Sequence, residues 1–290
     1  MKLNQYKQAV ANFYDRRSAG YDDGARRKQI CDRLLNYSQL DLGQTVLDIG
    51  TGTGKIAIDA ANTVGSKGKV IGIDIAPEML VRAKNKAHTA KLNHVEFQLI
   101  DAESLNYPSG YFDRILCANT FPWIENKLAT LNLWHSQLKS NGRIAVHTPA
   151  DTAYINTVTL KKVLARHGIA MEASNRIGSQ QECIDLFRQA GFREIKIEIE
   201  QYGTYVDLES AKATWSWIVA NPSVISLKLD RQKLARSSDR LSQIKAEFDA
   251  ELETLNTETG IWDKITAWYI LARKIEHGVE TCATTEKSST

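Results

Sequence analysis

The sequence predicts an α/β fold: a doubly wound, mostly parallel sheet of seven strands with helices on both faces. Short aliphatic and β-branched runs alternate with amphipathic helical segments from Thr45 onward, and this alternation is typical of βαβ units. A glycine-rich turn directly follows the first run, at the place where such sheets bind ligands. The composition agrees, since 290 residues with 43% hydrophobic and 24% charged residues are typical of one large globular domain.

The predicted elements follow one another along the chain. Helical spacing with few breakers predicts N-terminal helices over residues 1–40. Apolar runs and the amphipathic segments between them predict strands at 46–49, 70–73, 95–99, 114–118 and 143–147, and helices at about 56–63, 77–90 and 127–138. A period-two alternation at 192–199 and an apolar run at 268–273 predict the last two strands.

The chain is predicted to form one domain, residues 1–276, followed by a small and polar tail at 277–290 that has nothing to bury. Within the domain, residues 41–150 form the predicted ligand-binding core. Residues 203–262 are mostly helical in character, and a stretch of this size between neighbouring strands favours a folded helical cap over a bare loop.

Charge and cysteine content exclude several classes of function. The net charge is +3 and the basic residues are scattered, so no nucleic-acid binding surface is predicted. No apolar window approaches the length of a membrane span, and the acidic, histidine and cysteine residues do not cluster in a way that predicts a metal site. The four cysteines lie far apart without a C-x-x-C pair, which favours a reducing compartment, and the expected location is the cytoplasm.

The strongest local signal is the segment from Asp48 to Gly54, which reads DIGTGTG. Glycines at alternate positions let the backbone turn tightly and approach a ligand closely, and the next helix points its amino terminus at that ligand. Asp74 ends the second predicted strand, twenty residues after Gly54. A carboxylate at this place can accept hydrogen bonds from both hydroxyls of a ribose. The pattern therefore predicts a site for a ligand that contains a nucleoside.

Two other interpretations of the turn stay open. Residues 52–57 satisfy a loose G-x-G-x-x-A, so an NAD(P)-dependent oxidoreductase is one alternative. Asp48 argues against it, because a carboxylate would repel a pyrophosphate but suits a cationic or amino-bearing ligand, and no Tyr-x-x-x-Lys pair follows the fifth strand. The other alternative is a glycine turn without a ligand, which the presence of Asp74 disfavours.

These residues resemble the class I S-adenosylmethionine (SAM)-dependent methyltransferases, a Rossmann-like family with seven strands, through most of residues 10–275. Residues 48–54 match the family's first motif, D/E-x-G-x-G-x-G. Residues 111–119 are similar to its fourth-strand segment, and residues 138–142, Leu-Lys-Ser-Asn-Gly, stand where the family normally has Leu-Lys-Pro-Gly-Gly. The resemblance implies SAM as cofactor, S-adenosylhomocysteine as product and no metal.

The N-terminal segment 13–22, FYDRRSAGYD, resembles the F-Y-D-x-x-A-x-x-Y-D pattern of one branch of the family, with Ala19 one position later than usual. This branch contains quinone-biosynthesis and other small-molecule methyltransferases. By this resemblance Tyr21 helps to hold the methionine end of SAM, and Tyr14 faces the reacting site. Helix packing is the alternative for both tyrosines.

The resemblance also implies which residues hold the cofactor. Asp48 and the glycine turn hold the methionine and ribose side, and Asp74 holds the ribose hydroxyls. Asp101 with Ala102 reads the adenine, while Ile75 and Met79 pack against its ring, although Met79 fits ordinary helix-to-sheet packing equally. The full set of implied cofactor residues is Tyr21, Asp48, Gly50, Thr51, Gly52, Gly54, Asp74, Ile75, Met79, Asp101, Ala102 and Asn119.

Methyl transfer from SAM requires little acid-base catalysis by the protein. The sulfonium methyl is already activated, so the main tasks are alignment of the reactants and removal of water. A base is useful where the nucleophile is a hydroxyl that must lose its proton. The candidate catalytic residues are Tyr14 and His147, the latter at the end of the fifth predicted strand. For His147, a histidine bonded to the backbone is the alternative.

The segment after the fourth strand bears on the acceptor. Residues 119–123, Asn-Thr-Phe-Pro-Trp, lack the D/N-P-P-aromatic motif of enzymes that methylate amino groups of nucleic-acid bases. The predicted function is therefore methyl transfer to oxygen, nitrogen or carbon of a small organic acceptor by in-line displacement, with a SAM-binding protein without turnover as an alternative. A monomer or homodimer is expected. Candidate walls of an acceptor pocket, which ordinary core packing also explains, are Trp123, Tyr154, Trp215 and Trp217.

Overall fold

The computed structural model describes residues 2–22, 25–150, 153–169, 178–220 and 238–275. Its helices are α1 (Gln5–Arg17), α2 (Ala25–Ser38), α3 (Lys55–Val64), α4 (Pro77–Thr89), α5 (Lys127–Gln137), α6 (Ile155–Arg166), α7 (Gln180–Gln189), α8 (Leu208–Ala220) and α9 (Ser238–Leu255). Its strands are β1 (Thr45–Ile49), β2 (Lys69–Asp74), β3 (Val95–Leu99), β4 (Phe112–Ala118), β5 (Leu138–Pro149), β6 (Arg193–Val206) and β7 (Ile261–Arg273). A short 3₁₀ turn, Ser18–Gly20, follows α1.

The seven strands form one sheet in the order β3-β2-β1-β4-β5-β7-β6. Strands β1 to β5 are parallel to one another, and β7 runs antiparallel to both of its neighbours, β5 and β6. The predicted mostly parallel sheet is therefore confirmed. The strand order reverses between β1 and β4, so a crevice opens at their carboxyl ends, where open α/β sheets bind ligands.

Helices cover both faces of the sheet, each over its own apolar core. On one face α2, α3 and α4 bury residues such as Leu34, Ala60 and Ala83. On the other face α5 and α7 bury Trp134 and Phe187. Because β1 and β4 are covered on both faces, most of their residues are apolar, which is the signal that identified them.

The last two strands are longer than the sequence predicted. β6 and β7 pair from Arg193↔Arg273 to Val206↔Ile261, whereas the predicted strands covered only 192–199 and 268–273. The additional part carries half-exposed aromatic side chains, such as those of Tyr205 and Trp262, so it lacks an apolar run. The predicted cap interval, 203–262, consequently includes the last residues of β6 and the first of β7.

Helices α6, α8 and α9 pack together through a third apolar cluster that contains Leu160, Trp215 and Phe248. Since α6 precedes β6 in the chain, this layer takes one helix from outside the predicted insertion. The division of the chain into core, cap and tail stays a prediction, and the tail at 277–290 lies outside the described residues. In the part of the chain that the structure describes, each helix is too short or too polar to pass through a lipid bilayer.

Candidate active site

A cleft of about 700 Å³, measured together with its open mouth, lies at the carboxyl ends of β1, β2 and β4 beneath α1. The cleft brings together eleven of the residues that the sequence analysis selected: Tyr14, Tyr21, Gly50, Gly52, Asp74, Ile75, Met79, Asp101, Ala102, Asn119 and Trp123.

The glycine turn forms the floor of the cleft. Gly50 has a left-handed backbone, with φ of 66°, and a Cβ there would overlap the hydroxyl of Thr120. Only glycine fits that close approach. The backbone N–H of Thr51 donates to the carbonyl of Ile73 at 2.9 Å, which ties the turn to the end of β2.

The carboxylate of Asp74 lines the cleft and is held by backbone N–H groups. Gly52 N–H donates to Oδ2 and Ala76 N–H donates to Oδ1, both at 2.9 Å. Burial raises the pKa of Asp74, and the backbone N–H groups of Ala76, Gly52 and Ile75 oppose that shift. The two carboxylate oxygens have about four acceptor sites together, so the group can still accept a hydroxyl.

Asp48 lies beneath the turn and does not line the cleft. Its carboxylate is buried and accepts a hydrogen bond of 2.6 Å from the hydroxyl of Thr51, and burial raises its pKa to about 7. Gly54 also serves packing, because a Cβ there would lie 2.9 Å from Cβ of Ala83 on α4. In this structure Asp48, Thr51 and Gly54 shape the turn from below, and their side-chain positions give them no contact with the cleft.

Helix α1 is fastened to the far end of the cleft by Lys7, which the sequence analysis missed. The ammonium of Lys7 lies 2.7 Å from Oδ2 of Asp101 and 2.9 Å from Oε1 of Glu103. The backbone N–H of Glu103 donates to Oδ1 of Asp101 at 3.0 Å, so both oxygens of Asp101 are engaged. No sequence signal marks Lys7, since a single lysine on an amphipathic helix is ordinarily a solvated surface residue.

The turn after α1 is held to the glycine turn by a second contact. Asp22 accepts a hydrogen bond of 2.6 Å from the hydroxyl of Thr53 and also pairs with Lys86. Asp22 is the final residue of the FYDRRSAGYD segment. The sequence therefore singled out its position, but it did not predict the hydrogen bond with Thr53.

Three aromatic rings form one wall of the cleft. The ring centroid of Tyr14 lies 6.0 Å from that of Tyr21 and 5.8 Å from that of Trp123, both in edge-to-face geometry. Burial raises the pKa of Tyr14 well above its ordinary value, although a hydrogen bond with Trp123 opposes the shift. An indole N–H only donates, so the Tyr14 oxygen is the acceptor and its own proton is left to donate.

His147 does not reach the cleft, so its selection as a catalytic base is corrected. β5 continues past it to Pro149, and its ring is buried in the sheet against Tyr269, with ring centroids 4.9 Å apart. Burial lowers the pKa of His147 to about 3, which keeps the ring neutral. Neither ring nitrogen has a hydrogen-bond partner among the described residues.

The predicted acceptor wall is only partly assembled. Trp123 lines the cleft. Trp215 instead packs in the cluster of α6, α8 and α9, with its ring centroid 5.9 Å from that of Phe248, so its assignment as a wall is corrected as well. Tyr154 packs against the core on the α2 face and does not line the cleft, and the side chain of Trp217 lies outside the described residues.

Among the residues that the structure describes, no three histidine, cysteine or acidic side chains are grouped so that they could hold a metal ion. The charged groups that line the cleft are Lys7, Asp74, Asp101 and Glu103. The aromatic wall contributes only neutral groups beside Asn119 and Thr120.

A family model and two similar proteins all identify the chain as similar to methyltransferases. A family described as a methyltransferase domain matches residues 40–203. The aklanonic acid methyltransferase DauC of Streptomyces sp. (strain C5) is 32% identical over 155 residues, which cover 53% of this chain and 70% of that protein. The ubiquinone/menaquinone biosynthesis C-methyltransferase UbiE of Coxiella burnetii is 31% identical over 116 residues, 40% of this chain and 46% of that protein.

A solved structure shows the same fold. The YcgJ protein of Bacillus subtilis superposes with a TM-score of 0.58 at 21% sequence identity, covering 86% of this chain and 100% of that one. At this identity the likeness concerns the fold alone.

Proposed function

The chain belongs to the methyltransferase-domain family and is a SAM-dependent methyltransferase, and from that premise we propose that the cleft beneath α1 is its catalytic site. One observation carries the proposal: the glycine turn, Asp74 and Asp101 line a single cleft at the carboxyl ends of the strands. The family match also favours methyl transfer over the dinucleotide oxidoreductase that the glycine spacing had left open.

The residues present fit the cofactor at three places. Asp74 lines the cleft at the end of β2, where a carboxylate can accept hydrogen bonds from the hydroxyls of a ribose. Ile75 and Met79 offer apolar surface to the adenine ring, and Asp101 lies at the same end of the cleft. Gly50 and Gly52 leave the floor free of side chains, so a ligand can approach the backbone closely.

SAM supplies a methyl group on a positively charged sulfur, which is already activated for transfer. The chain's own contribution is then to orient the acceptor and exclude water. The rings of Tyr14, Tyr21 and Trp123 exclude water, and aromatic faces attract cations. Tyr14 stays a neutral phenol because of its raised pKa, so we assign it the role of a hydrogen-bond donor that orients the acceptor.

The acceptor that fits this site best is a small, largely apolar molecule with an aromatic or quinone-like ring. The groups at the aromatic end of the cleft are uncharged, so a charged acceptor would exchange its full hydration for, at most, contact with aromatic faces. Two similar proteins are named for such chemistry, one for aklanonic acid and one for ubiquinone and menaquinone biosynthesis. The similarity to UbiE covers less than half of that protein, so the acceptor class rests mainly on the aromatic wall.

Binding of S-adenosylhomocysteine, measured by calorimetry, tests the site. We expect Asp74→Asn to weaken binding at least tenfold, because the amide loses the charge and one acceptor oxygen. The matched control is Asp185→Asn, a change of an exposed aspartate on α7, which should bind within twofold of the wild type. If Asp74→Asn keeps wild-type affinity while remaining folded by circular dichroism, the assignment of the cleft is wrong.

Transfer of a radiolabelled methyl group from SAM tests the acceptor class. The panel contains quinols, phenols and uncharged polyketide-like ring compounds on one side and charged aliphatic amines on the other. Turnover with ring-containing acceptors is expected. A preference for charged amines would contradict the acceptor proposal, while the assignment of the cofactor cleft would stand on the calorimetry.

We also propose a cytoplasmic location, with a monomer or homodimer as the assembly. In the described part of the chain Cys31, Cys117 and Cys183 are free thiols, and a reducing compartment keeps thiols in this form.

A further inference from the structure

A second cleft lies at the opposite end of the sheet, where a row of three arginines crosses three neighbouring strands. Arg114 on β4 is paired in register with Arg143 on β5, which is paired with Arg273 on β7. Residues paired directly across strands point to the same face of a sheet, so the three guanidinium groups share the face that α2 covers. The row lies four residues, or about 13 Å of strand, from Ala118 at the SAM cleft.

The row borders a concave space of about 620 Å³, measured with its mouth. Its floor is the next row of side chains on the same face of the sheet, Leu116, Ala145 and Leu271, and the small side chain of Ala145 leaves room between two leucines. Residues 37–39 at the end of α2 line the same space. The cleft therefore combines a cationic rim with an apolar floor.

The partners of these arginines leave positive charge uncompensated. Arg114 is only 8% exposed and donates to the backbone carbonyls of Ser38, Gln39 and Asp113 at 3.1, 3.0 and 3.1 Å. Of the two carboxylates near it, that of Asp41 lies 3.6 Å away at the surface, and that of Asp113 is paired with Lys139. Arg143 donates to the side-chain oxygen of Gln39 and has no carboxylate partner in the described part of the chain.

The other two cations of the cleft each have one carboxylate. Arg273 pairs with Glu194 at 2.9 Å, yet its Nε is buried without a partner among the described residues. Lys196 pairs with Glu198. Burial and the neighbouring Arg143 both lower the pKa of Arg114, so the cations repel one another.

We propose that this cleft binds a small molecule that carries a diphosphate group. Guanidinium groups match phosphate oxygens in two-pronged hydrogen bonds, and a bound polyanion would remove the repulsion between like charges on neighbouring strands. Three adjacent strands span about 10 Å, which suits two linked phosphates better than one. The apolar floor takes the organic part of the ligand.

Calorimetry with inorganic pyrophosphate on the full chain, at constant ionic strength, tests the proposal. Saturable binding is expected, with affinity at least tenfold weaker in Arg143→Gln and intermediate in Arg143→Lys, which keeps the charge but loses the planar fork. The matched control is Arg82→Gln, an exposed residue of α4 with the same change of charge, which should bind like the wild type. Arg273→Gln serves as a second variant if Arg143→Gln fails to fold.

Three outcomes would overturn the proposal. The first is that pyrophosphate gives no saturable signal with the wild-type protein. The second is that Arg143→Gln and Arg82→Gln weaken binding equally, which would indicate attraction by net charge alone. The third is that saturating S-adenosylhomocysteine abolishes pyrophosphate binding, which would place the anion in the SAM cleft. Unchanged pyrophosphate affinity in the presence of S-adenosylhomocysteine supports two separate sites.

Discussion

Lys7 on α1 holds two carboxylates of the SAM cleft, and its replacement by methionine tests how firmly α1 is fastened there. The side chains of Lys7 and Asp101 are each 14% exposed and that of Glu103 is 12% exposed. Methionine keeps most of the aliphatic stem, so Lys7→Met removes the charge contacts with little loss of packing. A hydrogen bond to a charged group contributes about 1.5–3 kcal/mol. We therefore expect the free energy of unfolding to fall by about 2–3 kcal/mol, since two carboxylates are left without their cation.

Urea unfolding followed by circular dichroism measures this change, and Lys28→Met is its control. Lys28 makes an ion pair of 2.8 Å with Asp32, but its side chain is 71% exposed. Exposed pairs contribute less than about 1 kcal/mol. The reasoning is refuted if Lys7→Met costs no more free energy than Lys28→Met.

The difference in the free energy of unfolding between the wild type and Lys7→Met should depend on pH, which checks that the charge contacts of Lys7 are its cause. Burial acts to lower the pKa of Lys7, but its bonds to Asp101 and Glu103 outweigh this and raise the pKa above the ordinary 10.5. Burial acts to raise the pKa of Glu103, but the backbone N–H groups of Glu125 and Asn126, together with Lys7, lower it below the ordinary 4.5. The contribution of Lys7 is complete below pH 10.5 and is lost above it, and that of Glu103 is complete above pH 4.5 and is lost below it. The wild type and Lys7→Met should therefore differ most between these two pH values.

Three further changes test the site and its surroundings. Gly50→Ala puts a Cβ against the Thr120 hydroxyl in a left-handed backbone. We therefore expect the free energy of unfolding in urea to fall by about 2–4 kcal/mol, and S-adenosylhomocysteine to bind at least tenfold more weakly. Wild-type stability and affinity would contradict the close approach of Thr120 to Gly50. Tyr14→Phe removes one hydroxyl, so methyl transfer should slow at least tenfold while S-adenosylhomocysteine affinity stays within twofold, whereas equal losses in both would indicate a packing role. Burial holds the pKa of His147 at about 3 against the ordinary 6.5, so its stabilising contribution is present above pH 6.5 and falls by about 1.4 kcal/mol per pH unit below it. Between pH 6.5 and 3, the free energy of unfolding should fall less in His147→Leu than in the wild type. If urea unfolding shows the same pH dependence for both proteins, protonation of His147 is not the cause.

The sequence predicted those features whose positions follow from strand ends alone. Asp74 and Asp101 follow adjacent parallel strands, β2 and β3, and the carboxyl ends of such strands meet at one edge, so their shared cleft was predictable. The direction of a side chain was not predictable: Asp48 points down to Thr51, because one residue of difference along a strand reverses the face. His147 was placed at a strand end because the apolar run stopped there, although the strand continues for two more residues. Lys7 was missed because its partners come from a segment about a hundred residues away, and nothing local encodes that contact.

The two clefts differ in the sign of their charge, and the topology of the sheet explains the separation. Asp74 and Asp101 come at or just after the carboxyl ends of β2 and β3, whereas Arg114 stands near the amino end of β4 and is paired in register with Arg143 on β5. Because β7 runs antiparallel, its last residue, Arg273, is paired with Arg143. A ligand with a positively charged sulfur is favoured at the acidic end, and an anion is favoured at the arginine end. The net charge of +3 does not reveal these two clefts of opposite charge, because it sums over the whole sequence.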